Sequence, residues 1–271
     1  MTISSTGVKS RDSRRSIGDL LVPLNELATR SVNLVANHEA HFEIEGETYN
    51  FPRYLFIGSV SGEAPIRVGI FATIHGDEPE GAHAIAQFIE ALEGRPEFAA
   101  GYYLSFYPLC NPTGYEDNTS HSRNGSDLDR EFWKNSKQPE VQLLQAELVS
   151  QSFQGIISLR TDATSDGFYA LVRGGGTLAK HLVEPSLRAV DEFLPRDSRL
   201  LIDGLRSRDG IVRDEPDGRL SAPPKVRPRP FEIVLTTPKA PPAFLKESAL
   251  IVALQTILAE YRRFIAHAQN I

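Results

Sequence analysis

The chain has 271 residues, 41% of them hydrophobic and 24% charged, which suits one large soluble α/β domain better than two independent ones. Its 29 basic and 35 acidic residues give a net charge of −6. That mild acidic excess speaks against a general nucleic-acid surface, and no run of ~18 apolar residues is present to span a membrane. The single cysteine, Cys110, has no intramolecular disulfide partner, so a reducing, cytoplasmic compartment is expected.

Residues 1–16 are rich in Ser and Arg without apolar periodicity and read as a flexible tail, with residues 17–271 as a single domain. Residues 1–16 read as polar overall and the apolar patch Leu20–Val22 is short, so no signal peptide is expected. Leu20, Leu21, Leu24, Leu27, Val32 and Val35 predict a helix over 17–36, interrupted by Pro23. Residues 41–49 alternate around Gly46 and predict a hairpin, with a strand over 53–59.

A buried strand is predicted over 66–74 and a helix over 79–92, the latter with Pro at its start and Ala82, Ile85, Ala86, Ile89 and Leu92 on one face. Strands over 102–109, 155–160, 168–172 and 231–235 alternate with helices near 140–149, 178–193 and 244–267. Residues 196–230 are rich in Arg, Asp, Gly and Pro and read as an irregular excursion. Strands alternating with helices imply a mainly parallel sheet covered on both faces.

The strongest local signal is the segment Ile74-His75-Gly76-Asp77-Glu78-Pro79-Glu80-Gly81, where a strand hands over to a helix. In an open α/β sheet, ligands bind beyond the carboxyl ends of the strands. A His and a Glu three residues apart across such a turn can converge on one cation. Alone, His-x-x-Glu carries little information. Downstream, however, come Asn111-Pro112-Thr113-Gly114, Ser122-Arg123-Asn124-Gly125, Asp127-Leu128-Asp129-Arg130, Ser158-Leu159-Arg160-Thr161-Asp162 and Thr236-Thr237-Pro238.

In order and spacing these segments resemble the zinc carboxypeptidase superfamily, including its succinylglutamate desuccinylase and aspartoacylase relatives, from about residue 66 to the closing helix. The resemblance implies a twisted, mostly parallel eight-stranded sheet between helices, with one catalytic Zn2+ at its carboxyl edge. It implies His75 and Glu78 as metal ligands, Arg123 as the oxyanion-stabilising arginine and Arg130 as the grip on a substrate carboxylate. Hydrolysis of a C-terminal peptide bond or an N-acyl amino acid is the activity it implies.

Three positions depart from that pattern. Arg160 stands where the third metal-binding His belongs, and a guanidinium has no lone pair to offer a metal. Asp129 stands where an Asn precedes the substrate-gripping Arg130, placing negative charge near a substrate carboxylate. Thr236 stands at the general-base position, and Glu232 lies about 13 Å away along the same strand face. Arg160 is therefore expected near the metal position, paired with Glu78. Asp162, two residues on and on the same face, is the alternative that would restore a His-Glu-Asp site.

Two functions stay open at this stage: a zinc hydrolase with a degenerate site, or a silent relative that binds a small carboxylate or peptide in the old cleft. The remaining signals have blander readings. Cys110 reads as a buried core residue, Trp133 as packing beside Arg130, and the Arg173–Thr177 glycine run as a turn without a phosphate-loop ending. His121 falls in a loop near the site, and the other histidines outside the motif have no local context. Oligomeric state is not legible from the sequence.

Overall fold

The computed structural model describes residues 14–60, 64–173, 176–213 and 218–269. Residues 1–13 of the expected tail lie outside the described residues, as do Gly174 and Gly175 of the glycine run. Arg14 is held against the body by Glu47, at 2.8 Å, and Arg15 reaches the carbonyl of Gly76.

Helix α1 (Ile17–Arg30) is capped by Ser16, whose hydroxyl accepts from the Asp19 amide at 3.1 Å, and it buries Leu20, Leu21, Leu24 and Leu27. The helix predicted to residue 36 stops at Arg30. Ser31 is extended and its hydroxyl takes the amides of Asn33 and Leu34, which turns the chain into edge strand β1 (Leu34–Asn37). A separate hairpin follows, β2 (His41–Ile44) and β3 (Glu47–Asn50), turning at Glu45 and Gly46, both with positive φ.

Next come β4 (Arg53–Ile57), β5 (Ile66–Phe71), α2 (Glu80–Gly94), β6 (Tyr102–Tyr107), α3 (Pro112–Asp117), α4 (Pro139–Ser150), β7 (Gly155–Asp162) and β8 (Tyr169–Arg173). A short α5 (Gly176–Leu178), a π-helical turn over Ala179–Val183 and α6 (Glu184–Val190) make up the helix predicted over 178–193. The chain closes with β9 (Leu201–Ile202), β10 (Leu205–Arg208), β11 (Ile211–Val212), β12 (Phe231–Pro238) and α7 (Ala243–Gln269).

The main sheet runs β1-β4-β6-β5-β7-β12-β8-β11-β10-β9, ten strands against the eight expected. Its centre, β6-β5-β7-β12, is parallel. Part of the excess comes from the excursion, which holds β9, β10 and β11 rather than irregular chain. Asp203-Gly204 and Asp209-Gly210 take positive φ at all four residues, and such Asp-Gly turns make tight hairpins from short segments lacking side-chain alternation.

Alternation elsewhere assigns each strand's residues to two faces. Val68 and Ile70 of β5, Ile157 and Leu159 of β7, and Ile233 and Leu235 of β12 join one core with α1, α2, α6 and α7. Phe71 and Ile156 point to the other face, into a second core with Val141, Leu144 and Leu148 of α4. No helix among the described residues is long and apolar enough to cross a membrane.

Candidate functional site

The carboxyl ends of the parallel strands open into a cleft of about 740 Å³, lined among others by His75, Asp129, Arg160, Tyr169, Arg219 and Thr236. Strand register builds its floor. Thr236 on β12 is the Cα partner of Arg160 on β7 and of Tyr169 on β8, so the three stand in one row across the sheet.

His75 and Glu78 lie in the turn between β5 and α2. Thr73 enters it with φ +54, a left-handed conformation uncommon for a non-glycine residue and frequent at functional sites. Gly76 lies flat against α3, where a Cβ would fall 1.9 Å from the carbonyl carbon of Gly114, so only glycine allows the turn to pass. Asn111 pins the turn from the next strand end. Its amide donates to the Ile74 carbonyl at 3.2 Å while its side-chain oxygen caps α3 at Gly114.

The guanidinium of Arg160 is held by two carboxylates and closed against His75. Nε donates to Oε2 of Glu78 at 3.2 Å and Nη1 to Asp129. Nη2 is 2.8 Å from Nδ1 and 3.2 Å from Nε2 of His75. An atom that near to both ring nitrogens lies over the imidazole face, in line with neither nitrogen. In the ring plane, Nδ1 meets Oε1 of Glu78 at 2.8 Å and Nε2 meets Oδ1 of Asp127 at 3.2 Å. The second oxygen of Glu78 also accepts the Thr161 amide at 2.9 Å.

Electrostatics follow from that geometry. Burial opposes ionisation of Glu78, but Arg160 and His75 hold its carboxyl below the usual range. Burial likewise opposes charging of His75, yet its bonds to Asp127 and Glu78 outweigh that cost and the neighbouring Arg160, raising the imidazole to about 9. Asp127, bonded to His75, is lowered to about 2. His75 therefore stabilises the fold fully below its unfolded value near 6.5, and that stability is lost as pH rises through about 9. Chemical denaturation is expected to show a fall in stability between about pH 7 and 9 that Asp127→Asn largely removes. A profile unchanged by that substitution would contradict the assignment.

These residues do not fit a zinc ion. Tetrahedral ligands at about 2.0–2.1 Å from zinc stand roughly 3.3 Å apart. Here the His75 nitrogen and Glu78 oxygen touch directly at 2.8 Å, and a permanent cation, Arg160, lies against Glu78 at 3.2 Å. Among the described residues, no group of three or more His, Cys, Asp or Glu side chains is arranged to hold a metal ion. Asp162, the alternative third ligand, is bound elsewhere. Oδ1 accepts from the Thr164 amide and hydroxyl, both at 2.7 Å, and Oδ2 from Arg199 at 3.0 Å and Tyr169 at 3.2 Å.

The other expected residues scatter. Arg123 does not line the cleft: its side chain is 5% exposed and buried among Asp117, Glu116, Glu47 and the Tyr49 hydroxyl. Arg130 reaches the cleft but is 82% exposed and paired with Asp127 at 3.1 Å. Asp129 lies beneath, 9% exposed, on Arg160. Thr236 is buried in the floor, and Glu232, at the far end of β12, is held by Arg229 at 3.0 Å. His121 is exposed and bonds its neighbour Ser120. Trp133 packs against the second core and donates to the Ser221 carbonyl at 3.0 Å.

Sequence reasoning missed Asp127, Tyr169, Asp203 and Arg219 as cleft residues. Asp127 carried a legible signal, since it caps the turn over Leu128–Arg130 by accepting the Asp129 amide at 3.2 Å. Arg219 carried none, because it enters the cleft from a segment without periodicity.

Comparison with solved structures finds the same fold in metallopeptidases. A candidate metallopeptidase from Shewanella denitrificans superposes with a TM-score of 0.75 at 19% identity, over 93% of this chain and 98% of the other. A metallo-carboxypeptidase from Burkholderia cenocepacia gives 0.67 at 14%, over 93% and 70%. A metallo-carboxypeptidase from Pseudomonas aeruginosa, in complex with (2-guanidinoethylmercapto)succinic acid, gives 0.59 at 13%, over 91% and 69%. No protein-family model and no curated protein matches the sequence. The chain has a zinc-carboxypeptidase-like α/β fold, and the descriptions of its structural neighbours point to a metal cofactor in those proteins.

Proposed function

We propose that this chain is a metallopeptidase-fold protein that works without zinc and binds a small carboxylate or peptide in its cleft. One observation carries the reading: the Arg160 guanidinium sits among Glu78, Asp129 and the face of His75, as a fixed cation among the acidic groups. It neutralises Glu78 and Asp129 and leaves no open coordination position. Thr236 stands beside it in the sheet with a hydroxyl that is a poor base near neutral pH. The cleft retains basic side chains, Arg130, Lys134, Arg219 and Lys239, suited to an anionic ligand. The succinic acid derivative held by the Pseudomonas aeruginosa carboxypeptidase, which carries two carboxyl groups, supports a carboxylate as the ligand class.

Metal analysis tests this directly. Protein purified without chelator and incubated with excess Zn2+, then desalted, is expected to retain far less than one zinc per chain. Arg160→His combined with Thr236→Glu is expected to raise retained zinc towards one, because an imidazole then replaces the cation. About one tightly held zinc in the wild-type chain, lost in His75→Ala, would sink the reading and restore the hydrolase.

A further inference from the structure

The cleft contains several cations, and they differ in what remains free to meet a ligand. Arg160 is held by Glu78 and Asp129, and its remaining nitrogen is closed against the face of His75. Arg123 lies outside the cleft. Arg130 and Lys239 stand at the rim with side chains 82% and 57% exposed, where water screens any ion pair. Arg219 differs from all of these: it lines the cleft, its side chain is 18% exposed, and its Nη1 has no hydrogen-bond partner among the described residues.

Its two other nitrogens are oriented by carboxylates. Nε lies 3.7 Å from Oδ2 of Asp129 on the cleft floor, and Nη2 donates to Oδ2 of Asp203. Asp203 is the first residue of the two-residue turn between β9 and β10, with φ +51, and Gly204 follows at φ +78. Its side chain also lines the cleft yet is 47% exposed, so it meets Arg219 from the solvent side. Removing Asp203 would leave the Nη1–Nη2 edge facing the cleft, two parallel donors matching the two oxygens of a carboxylate. The Nε edge would remain braced by Asp129.

We propose that Arg219 is the cation that anchors a ligand carboxylate in this cleft, and that Asp203 is a tethered carboxylate occupying that place until the ligand displaces it. The inference rests on the carboxylate-binding reading and moves its anchor from Arg130, where the motif implies it, to an arginine of the 196–230 excursion. A partly desolvated guanidinium holds a carboxylate more tightly than a solvated one. An internal competitor on a turn lowers apparent affinity by the fraction of time it occupies the site, and it sets a threshold that only a well-matched anion passes.

The test uses the full chain with N-acetylglycine as probe and N-acetylglycinamide, its uncharged counterpart, as control, followed by calorimetry or ligand-observed NMR. Asp203→Asn keeps a residue that tolerates the left-handed turn while removing the charge, and is expected to tighten N-acetylglycine binding about tenfold. Arg219→Gln is expected to weaken it at least tenfold. Arg219→Lys, which keeps the charge beside Asp129 and guards against misfolding, should fall between Arg219→Gln and wild type. Arg263→Gln removes an equal charge on α7 and should change nothing. Binding unaffected by Arg219→Gln, binding lost instead in Arg130→Gln, no gain in Asp203→Asn, or no binding by any variant would each overturn the proposal. Zinc retention in the same wild-type preparation reads the metal-free function separately, so the two can fail independently.

Discussion

Replacing Arg160 with Met is expected to lower the stability of this protein by about 3–5 kcal/mol, the usual cost of removing one partner from a buried ion pair. The side chains of Arg160, Glu78 and Asp129 are 11%, 10% and 9% exposed, so water cannot substitute for the lost guanidinium. Thermal unfolding should move down by roughly 6–20 °C for a chain of this size. Two further features distinguish this from loss of packing. The deficit should narrow below about pH 5, where the stranded carboxyls take up protons. A triple variant that also carries Glu78→Gln and Asp129→Asn should recover most of the loss, since a buried charge group replaced as a whole is often neutral. A loss under about 1 kcal/mol in Arg160→Met would mean that Arg160 is solvated and does not fill the site.

Arg123→Met is expected to have an effect of similar size for a different reason, and without touching ligand binding. Arg123 donates to Asp117 at 2.8 and 3.1 Å, to Glu116 at 3.0 Å, to Glu47 at 3.2 Å and to the Tyr49 hydroxyl. It thereby ties the β2–β3 hairpin to the end of α3, with Arg14 adding a second cation on Glu47 and Asp117. Burial, followed by the bonds to Glu47 and Glu116, pushes the Tyr49 phenol well above its ordinary value, so the phenol stays neutral in this cluster. Without Arg123, three partly buried carboxylates share one arginine, and a loss of about 3–5 kcal/mol follows. Arg123→Lys should recover only part of it, because an ammonium cannot serve four acceptors held in a plane and its flanks. N-acetylglycine binding, measured at a temperature where both proteins are folded, should match wild type. Selective loss of binding with stability intact would return Arg123 to the site.

The contrast between these two arginines marks where reading the motif one residue at a time succeeds. His75, Glu78 and Arg160 converge because each lies at the carboxyl end of a parallel strand or in the turn that follows it, and register leaves them little freedom; Asp129 joins them from the turn over Leu128–Arg130. Arg123 lies in the loop after α3, whose path depends on contacts with the separate β2–β3 hairpin. Motif spacing carries no information about that hairpin's position. Asp162 shares a strand face with Arg160, as alternation requires, yet the loop after β7 wraps its carboxylate around Thr164 and presents it to Arg199.

The sequence by itself determined the α/β class, the order of the central strands and helices along the chain, and that position 160 offers a cation with no lone pair for a metal. Those depend on apolar periodicity and on the chemistry of a side chain without a lone pair, both local properties. The folded chain alone decided that the helix from Ile17 ends at Arg30, that the excursion forms β9 to β11, and that Asp203 and Arg219 meet over Asp129. Ser31 captures two amides, Asp-Gly turns supply positive φ, and long-range packing brings two short loops to one cleft. The first two are local contacts that apolar periodicity does not register, whereas the meeting of Asp203 and Arg219 follows from how the sheet is closed and covered.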